Sequence, residues 1–198
     1  MGVLRLILFG FVSIVNRIWL SMNRVSFTRL TVNGFLLVYN KGTLTIGPNS
    51  RINSHFLKNI IGGDTKSSII VKKNATLEIG KNFRMSNSAI YCAEKITIGN
   101  NVLIGGSCRI WDTDFHPLDP ELRRNNPNEG YRTKPIVIGN DVFIGGFSII
   151  LKGVSIGDSA IIGAGSVVSR DVPAGEVWAG NPASFIRQIN RHGDSTTI

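Results

Sequence analysis

Histidine and cysteine are scarce in this sequence, and that scarcity narrows its chemistry first. Only His55, His116, His192, Cys92 and Cys108 occur among the 198 residues. They form no Cys- or His-rich cluster of the kind that builds a structural zinc site. So few cysteines, with no small-residue cleavage site after the apolar N-terminal run, point to reduced thiols in a cytosolic setting. Acidic residues are also few. Thirteen Asp and Glu stand against 22 Lys and Arg, a formal net charge of +9. Such a surface attracts an anion: nucleic acid, a phospholipid face or a phosphorylated ligand. No nucleic-acid-binding motif accompanies the charge, so nucleic acid is not an expected partner. A long apolar run is missing too. Within the first 24 residues, the longest uncharged stretch lies between Arg5 and Arg17, short of the roughly 20 apolar residues a membrane span needs.

What is present begins with an amphipathic N-terminal segment over residues 1–26. On a helical wheel Leu4, Ile7, Leu8, Phe11, Ile14, Val15, Ile18 and Trp19 share one face. Arg5, Ser13, Asn16, Arg17 and Arg24 gather on the other. Residues 1–24 therefore read either as a basic helix lying in a membrane interface or as a packing element on the domain or a second copy.

From Ile138 onward a branched aliphatic residue recurs at every sixth position: Ile138, Ile144, Ile150, Ile156, Ile162, Val168. Four places after each stands a small or β-branched residue: Val142, Ser148, Val154, Ala160, Ser166, Val172. Neither a helix nor an ordinary strand has this period. A triangular coil does: each hexad supplies one flat wall and one corner, and three hexads close a turn. Residues eighteen apart, such as Ile138 and Ile156, should then stack. Upstream, Ile98, Ile104 and Ile110 form another set, with Val102 and Cys108 at the small positions, the latter read as a buried core thiol. Ile79, Met85 and Tyr91 form a further set, followed by a seven-residue step to Ile98. The coil is expected to begin near Leu44, with a loop over 53–68 and a protruding, proline-containing loop over about 112–134. The β-helix is placed at 27–175, and residues 176–198 are read as a strand or helix and tail, with a short helix over 183–191.

The hexads, with TIGNNVLIG (97–105), DTDFHPLDPELR (112–123), PIVIGNDVFIGG (135–146), VSIGDSAIIGAGSVVSRDVP (154–173) and AGNPASFIR (179–187), resemble the hexapeptide-repeat acyltransferases, in their galactoside, maltose and polysaccharide O-acetyltransferase branch. The resemblance implies a left-handed parallel β-helix, a homotrimer with sites between subunits, acetyl-CoA as co-substrate without a metal, and a carbohydrate acceptor. It makes His116, in the His-Pro pair, the general base; an imidazole suits that role because it titrates near neutrality. Asp112 or Asp114, with Asp114 favoured, would orient the ring. Phe143, Gly146, Ala164, Ser169, Arg170 and Arg187 match the family's contacts to coenzyme A, the arginines suiting its phosphates. The family's acceptor-side asparagine falls by spacing at Met85, with Asn87 two residues away. No cysteine has the electropositive setting of a nucleophile, so direct attack in a ternary complex is expected.

The sugar follows from the resemblance. A surface polysaccharide or lipid-linked glycan follows from the N-terminal segment, which would bring a cytosolic enzyme to the inner face of the membrane. A free disaccharide, antibiotic or amine is the alternative acceptor. A carbonic anhydrase-like enzyme needs three clustered histidines per site, and a non-catalytic β-helix is permitted by charge alone.

Overall fold

The six-residue period winds into a coil with three walls, in a computed structural model that describes residues 2–189, with side chains from Phe11 onward. The first wall stacks strands Ser26–Phe27, Thr43–Ile46, Thr76–Ile79, Lys95–Ile98, Ile136–Ile138 and Ser155–Ile156. The second stacks Thr31–Gly34, Arg51–Ser54, Arg84–Ser86, Leu103–Gly106, Phe143–Ile144 and Ile161–Ile162. The third stacks Leu37–Asn40, Ser68–Val71, Ala89–Cys92, Arg109–Trp111, Ile149–Ile150 and Val167–Val168. All neighbours within these stacks pair in parallel. We call the turns from wall to wall the first corner (one to two), second corner (two to three) and third corner (three to one).

Register follows the hexads. Ile138 pairs with Ile156 as the eighteen-residue spacing requires, and the same column continues through Ile98, Ile79 and Ile46. The small positions Val142, Ser148, Val154, Ala160, Ser166 and Val172 are all buried. Each fully buried isoleucine contributes about 1.5–3 kcal/mol, so the columns are the main stabilising term. Coils approach so closely at the corners that a Cβ on Gly99 would lie 2.6 Å from the Gly139 carbonyl oxygen.

Five expectations change. The coil starts earlier than Leu44, because Ser26–Phe27 and Thr31–Gly34 already pair with the next turn; this first coil lacks the aliphatic-Gly signature. In the third wall Ile90, not Tyr91, points inward and pairs with Ile110. The corner at Asn87 is one residue shorter than its neighbour, with a register shift at Ser86, and Tyr91 is turned outward. The expected loop over 53–68 is strand to Ser54, then two tight turns, Phe56–Lys58 and Ile60–Gly62, before the coil resumes at Ser68. The expected C-terminal helix over 183–191 is instead strand Ala183–Gln188, antiparallel to Glu176–Gly180, which extends the second wall. Residues 190–198, including His192, lie outside the described residues.

The fifth change concerns helix α1 (Gly2–Met22). It covers the open end of the prism through Asn16 and Leu20, both 2% exposed. Polarity on the wheel puts Asn16 on the polar face, yet it is the inward residue. Its Nδ2 donates to the Gly34 carbonyl at 2.7 Å, and its Oδ1 accepts from Leu36 N–H at 3.1 Å. These groups belong to the terminal coil, which has no further coil to pair with. Phe11, Ile14, Ile18 and Met22 remain exposed on the outer face. No described helix is long and apolar enough to cross a membrane.

Candidate active site

His116 stands in a loop that leaves the third corner after Trp111 and returns at Ile136. The neck is closed by a bridge between Thr113 and Thr133. Beyond it, helix α2 (Pro120–Asn125) is started by Asp119, whose Oδ1 accepts from Glu121 and Leu122 N–H at 2.7 and 3.2 Å. Arg123 on that helix donates to the Pro117 and Leu118 carbonyls at 2.9 and 3.0 Å, clamping the segment just after His116. Phe115 sits in the left-handed region at φ 62° and its N–H is taken by Thr113 Oγ1 at 3.0 Å. A bulky residue held there is a strained position fixed by its surroundings. The imidazole is exposed, and its Nδ1 lies 2.7 Å from the Pro127 carbonyl oxygen. A carbonyl can only accept, so Nδ1 carries the proton and Nε2 presents a lone pair.

Neither aspartate orients that ring. Asp112 is fully buried, and its carboxylate accepts from the N–H groups of Ala93, Glu94 and Lys95 at 2.6, 2.8 and 2.8 Å. It holds the third corner one coil up. Asp114, the expected partner, instead pairs with Lys152 at 3.0 Å, leaving Oδ2 buried without a hydrogen bond. The sequence could not reveal Pro127, because its contribution is a backbone carbonyl reached only when the loop folds back.

The six residues matched to coenzyme A are divided by the fold. Gly146 and Ala164 stack one coil apart at the second corner, and Phe143 lies exposed on the second wall beside them. Around these two, Gly145 N–H donates to Ile162, Phe147 N–H to Gly106 and Gly165 N–H to Gly146, at 2.8, 2.7 and 2.9 Å. The N–H groups of Gly146 and Ala164 themselves make no hydrogen bond among the described residues. They form a short ladder of free donors on an accessible edge. Ser169 and Arg170 are exposed at the third corner, on the side of the His116 loop, and Arg187 is exposed on the C-terminal hairpin. Neither arginine has an ion pair among the described residues.

On the acceptor side, Met85 is excluded. It is 1% exposed in the second-wall column, inside the prism. Asn87 is at the second corner at φ 46°, fully buried. Its Nδ2 donates to the Gly63 carbonyl at 3.0 Å, tying down the loop after Ser54, while its Oδ1 has no partner. The sequence also did not single out a cleft of about 320 Å³ at His116, lined by Lys72, Tyr91, Thr113, Phe115 and Tyr131. Tyr91 enters it only because of the shortened corner.

Chemically the parts are an imidazole held in one tautomer and, among the described residues, a ladder of free N–H donors and two arginines without an ion pair. One prism keeps the His116 imidazole and the ladder at different corners.

Residues 135–170 match the family described as bacterial transferase hexapeptide (six repeats). The chain is 43% identical over 117 residues to the galactoside O-acetyltransferase of Escherichia coli (strain K12), covering 59% of this chain and 56% of that one. It thus spans little more than half of that relative's length. Over 150 residues it is 37% identical to the Saccharomyces cerevisiae protein named "Putative acetyltransferase YJL218W", covering 73% and 74% of the two chains. Among solved structures, the Vibrio cholerae hexapeptide-repeat containing acetyltransferase complexed with acetyl coenzyme A aligns at TM-score 0.59 and 27% identity, over 86% of this chain and 75% of that one.

Proposed function

The chain belongs to the hexapeptide-repeat acyltransferases, with their left-handed parallel β-helix, and from that premise we propose that it transfers an acetyl group from acetyl-CoA to a sugar hydroxyl. The observation that carries this reading is the bond from His116 Nδ1 to the Pro127 carbonyl, which leaves Nε2 free to take a proton. His116 removes the acceptor's hydroxyl proton as its oxygen attacks the thioester carbon. The Gly146 N–H, unpartnered among the described residues, faces the carbonyl oxygen and stabilises the charge that develops there. The C–S bond then breaks, and the proton held at Nε2 passes to the departing sulfur. Arg170 and Arg187 meet the phosphates of coenzyme A, since guanidinium groups donate paired hydrogen bonds to phosphate. Phe143, Ala164 and Ser169 line the pantetheine arm.

The assembly is a homotrimer in which the His116 loop of one copy meets the second corner of the next. The separation of His116 from Gly146 within one chain supports this. Peripheral contact with an anionic membrane is the role proposed for α1: Phe11, Ile14 and Ile18 are 65%, 60% and 57% exposed, with Arg17 exposed beside them. The acceptor is then a surface polysaccharide or lipid-linked glycan, modified at the inner face of the membrane. Release of free thiol from acetyl-CoA, measured across a panel of sugars, tests the reading. No release with any sugar would contradict it.

A further inference from the structure

The third corner carries more than the His116 loop. Lys41, Lys72 and Lys73 follow successive third-wall strands along it, and Arg24 joins from the end of α1. Two clefts open on this edge. The first is the aromatic cleft at His116, where the Tyr91 and Phe115 rings lie 4.8 Å apart, tilted by 60°, with Tyr131 and Lys72 completing the wall. The second, about 410 Å³, is lined by Met22, Arg24, Asn40, Lys41 and Lys73. Lys72 and Lys73, adjacent in the chain, join the two. Among the described residues no carboxylate lines either cleft.

The acidic residues nearby do not neutralise these cations. Asp112 is buried with its oxygens taken by backbone N–H groups, and Asp114 is paired with Lys152. Glu94 on this edge and Glu129, next to the cleft-lining Asn128, are left as exposed carboxylates. Lys41 carries only a contact with the Tyr39 ring, at 5.2 Å. Arg24, Lys41, Lys72 and Lys73 have no ion pair among the described residues. An edge of unpaired cations raises the local concentration of anions. Aromatic rings beside the base offer apolar faces against which a sugar ring packs.

We infer that the acceptor is an anionic oligosaccharide. Its reacting sugar rests against Tyr91 and Phe115 beside His116, and its carboxylate- or phosphate-bearing neighbours lie along the third corner to Arg24, Lys41 and Lys73. This rests on the acetyl-transfer reading and adds the acceptor's charge and length. Three strand spacings separate Lys41 from the His116 loop, about 14 Å, so a single ring does not reach both clefts. The exposed apolar stripe of α1 ends at Met22, in the wall of the second cleft, so the same path suits a glycan whose lipid lies along the helix.

The test compares oligomers of galacturonic and sialic acid with maltooligosaccharides of equal length. The wild type is set against a triple variant, Arg24→Ala, Lys41→Ala and Lys73→Ala. For the anionic oligomers kcat/KM should fall roughly tenfold in the variant and should fall with salt in the wild type, because exposed ion pairs are individually weak and screened. The neutral series should respond to neither change. Calorimetric binding of the same oligomers without acetyl-CoA reads the surface independently of turnover. If no sugar releases thiol, the acetyl-transfer reading fails, and calorimetry still decides this one. Equal calorimetric affinity for charged and neutral oligomers would overturn the inference. So would unchanged binding of anionic oligomers by the triple variant, including the case in which only its binding to phosphatidylglycerol vesicles is lost and the cleft holds a lipid headgroup.

Discussion

His116 Nδ1 and the Pro127 carbonyl oxygen, eleven residues apart in one loop, lie 2.7 Å from each other. This contact sets the proton inventory of the site. The backbone of the loop, rather than an acidic side chain, selects the tautomer, and Arg123 and the Thr113–Thr133 bridge hold the loop that makes it.

Replacing His116 by Ala should lower turnover about 10²- to 10⁴-fold, the usual contribution of a positioned base. Acetyl-CoA affinity should stay near wild type. Asp114→Asn should be far milder, because the Asp114 carboxylate contacts Lys152 and not the ring. Steady-state kinetics of both variants with calorimetry for acetyl-CoA check this. A loss in Asp114→Asn equal to that in His116→Ala would restore the aspartate to the orienting role.

Arg170→Ala and Arg187→Ala should each weaken acetyl-CoA binding and flatten its dependence on salt, since each removes a cation meeting phosphate. Calorimetry across a salt series measures both. Unchanged affinity and slope would remove that arginine from the donor site.

Much of this was legible in the sequence, and the exceptions have physical causes. The hexads located the walls, the stacking of Ile138 on Ile156 and the exit of the His116 loop, because core spacing in a coil is a strict repeat. The first coil lies inside the 27–175 bounds but carries no readable hexads, because its strands lack the aliphatic-Gly pair and are completed by α1. Tyr91 was assigned inward because a one-residue deletion at a corner cannot be located from period alone. Asn16 was placed with the polar face because a wheel ranks side chains by polarity, whereas the end of a prism needs an amide to satisfy Gly34 and Leu36. Helix α2 did carry a readable signal, Asp119 followed by Pro120, the pattern of a capped first turn.

Truncation of residues 1–24 should lower the melting temperature, because α1 covers the terminal coil. Asn16→Ala alone should cost about 1–3 kcal/mol by leaving buried backbone groups unpaired. Ile14→Ser with Ile18→Ser should leave the melting temperature nearly unchanged, since both side chains face outward, yet reduce flotation with anionic liposomes. Melting curves and flotation of the three proteins separate the two roles of the helix. Absence of flotation by the full-length protein would eliminate the membrane contact.

Cys92 and Cys108 should resist thiol reagents in the native protein. Burial pushes the Cys92 thiol up to about 12, aided by the charge of Asp112, and burial raises Cys108 as well. Thiolate is the reactive form, so labelling at pH 8 should be slow until denaturant is added. Rapid native labelling of either would contradict the buried assignment. These raised values also predict stability that is complete below the unfolded thiol range and declines as pH rises toward 12.

A site shared between copies is tested most directly by complementation. His116→Ala lacks the base, and Gly146→Val crowds the free N–H at the second corner. Each variant alone should be nearly inactive in thiol release. Co-expressed, with mixed trimers verified by mass, they should recover activity, because some sites then combine an intact His116 from one copy with an intact Gly146 from the next. Mixed trimers no more active than the two variants alone would place both residues in one chain's own site and contradict the account.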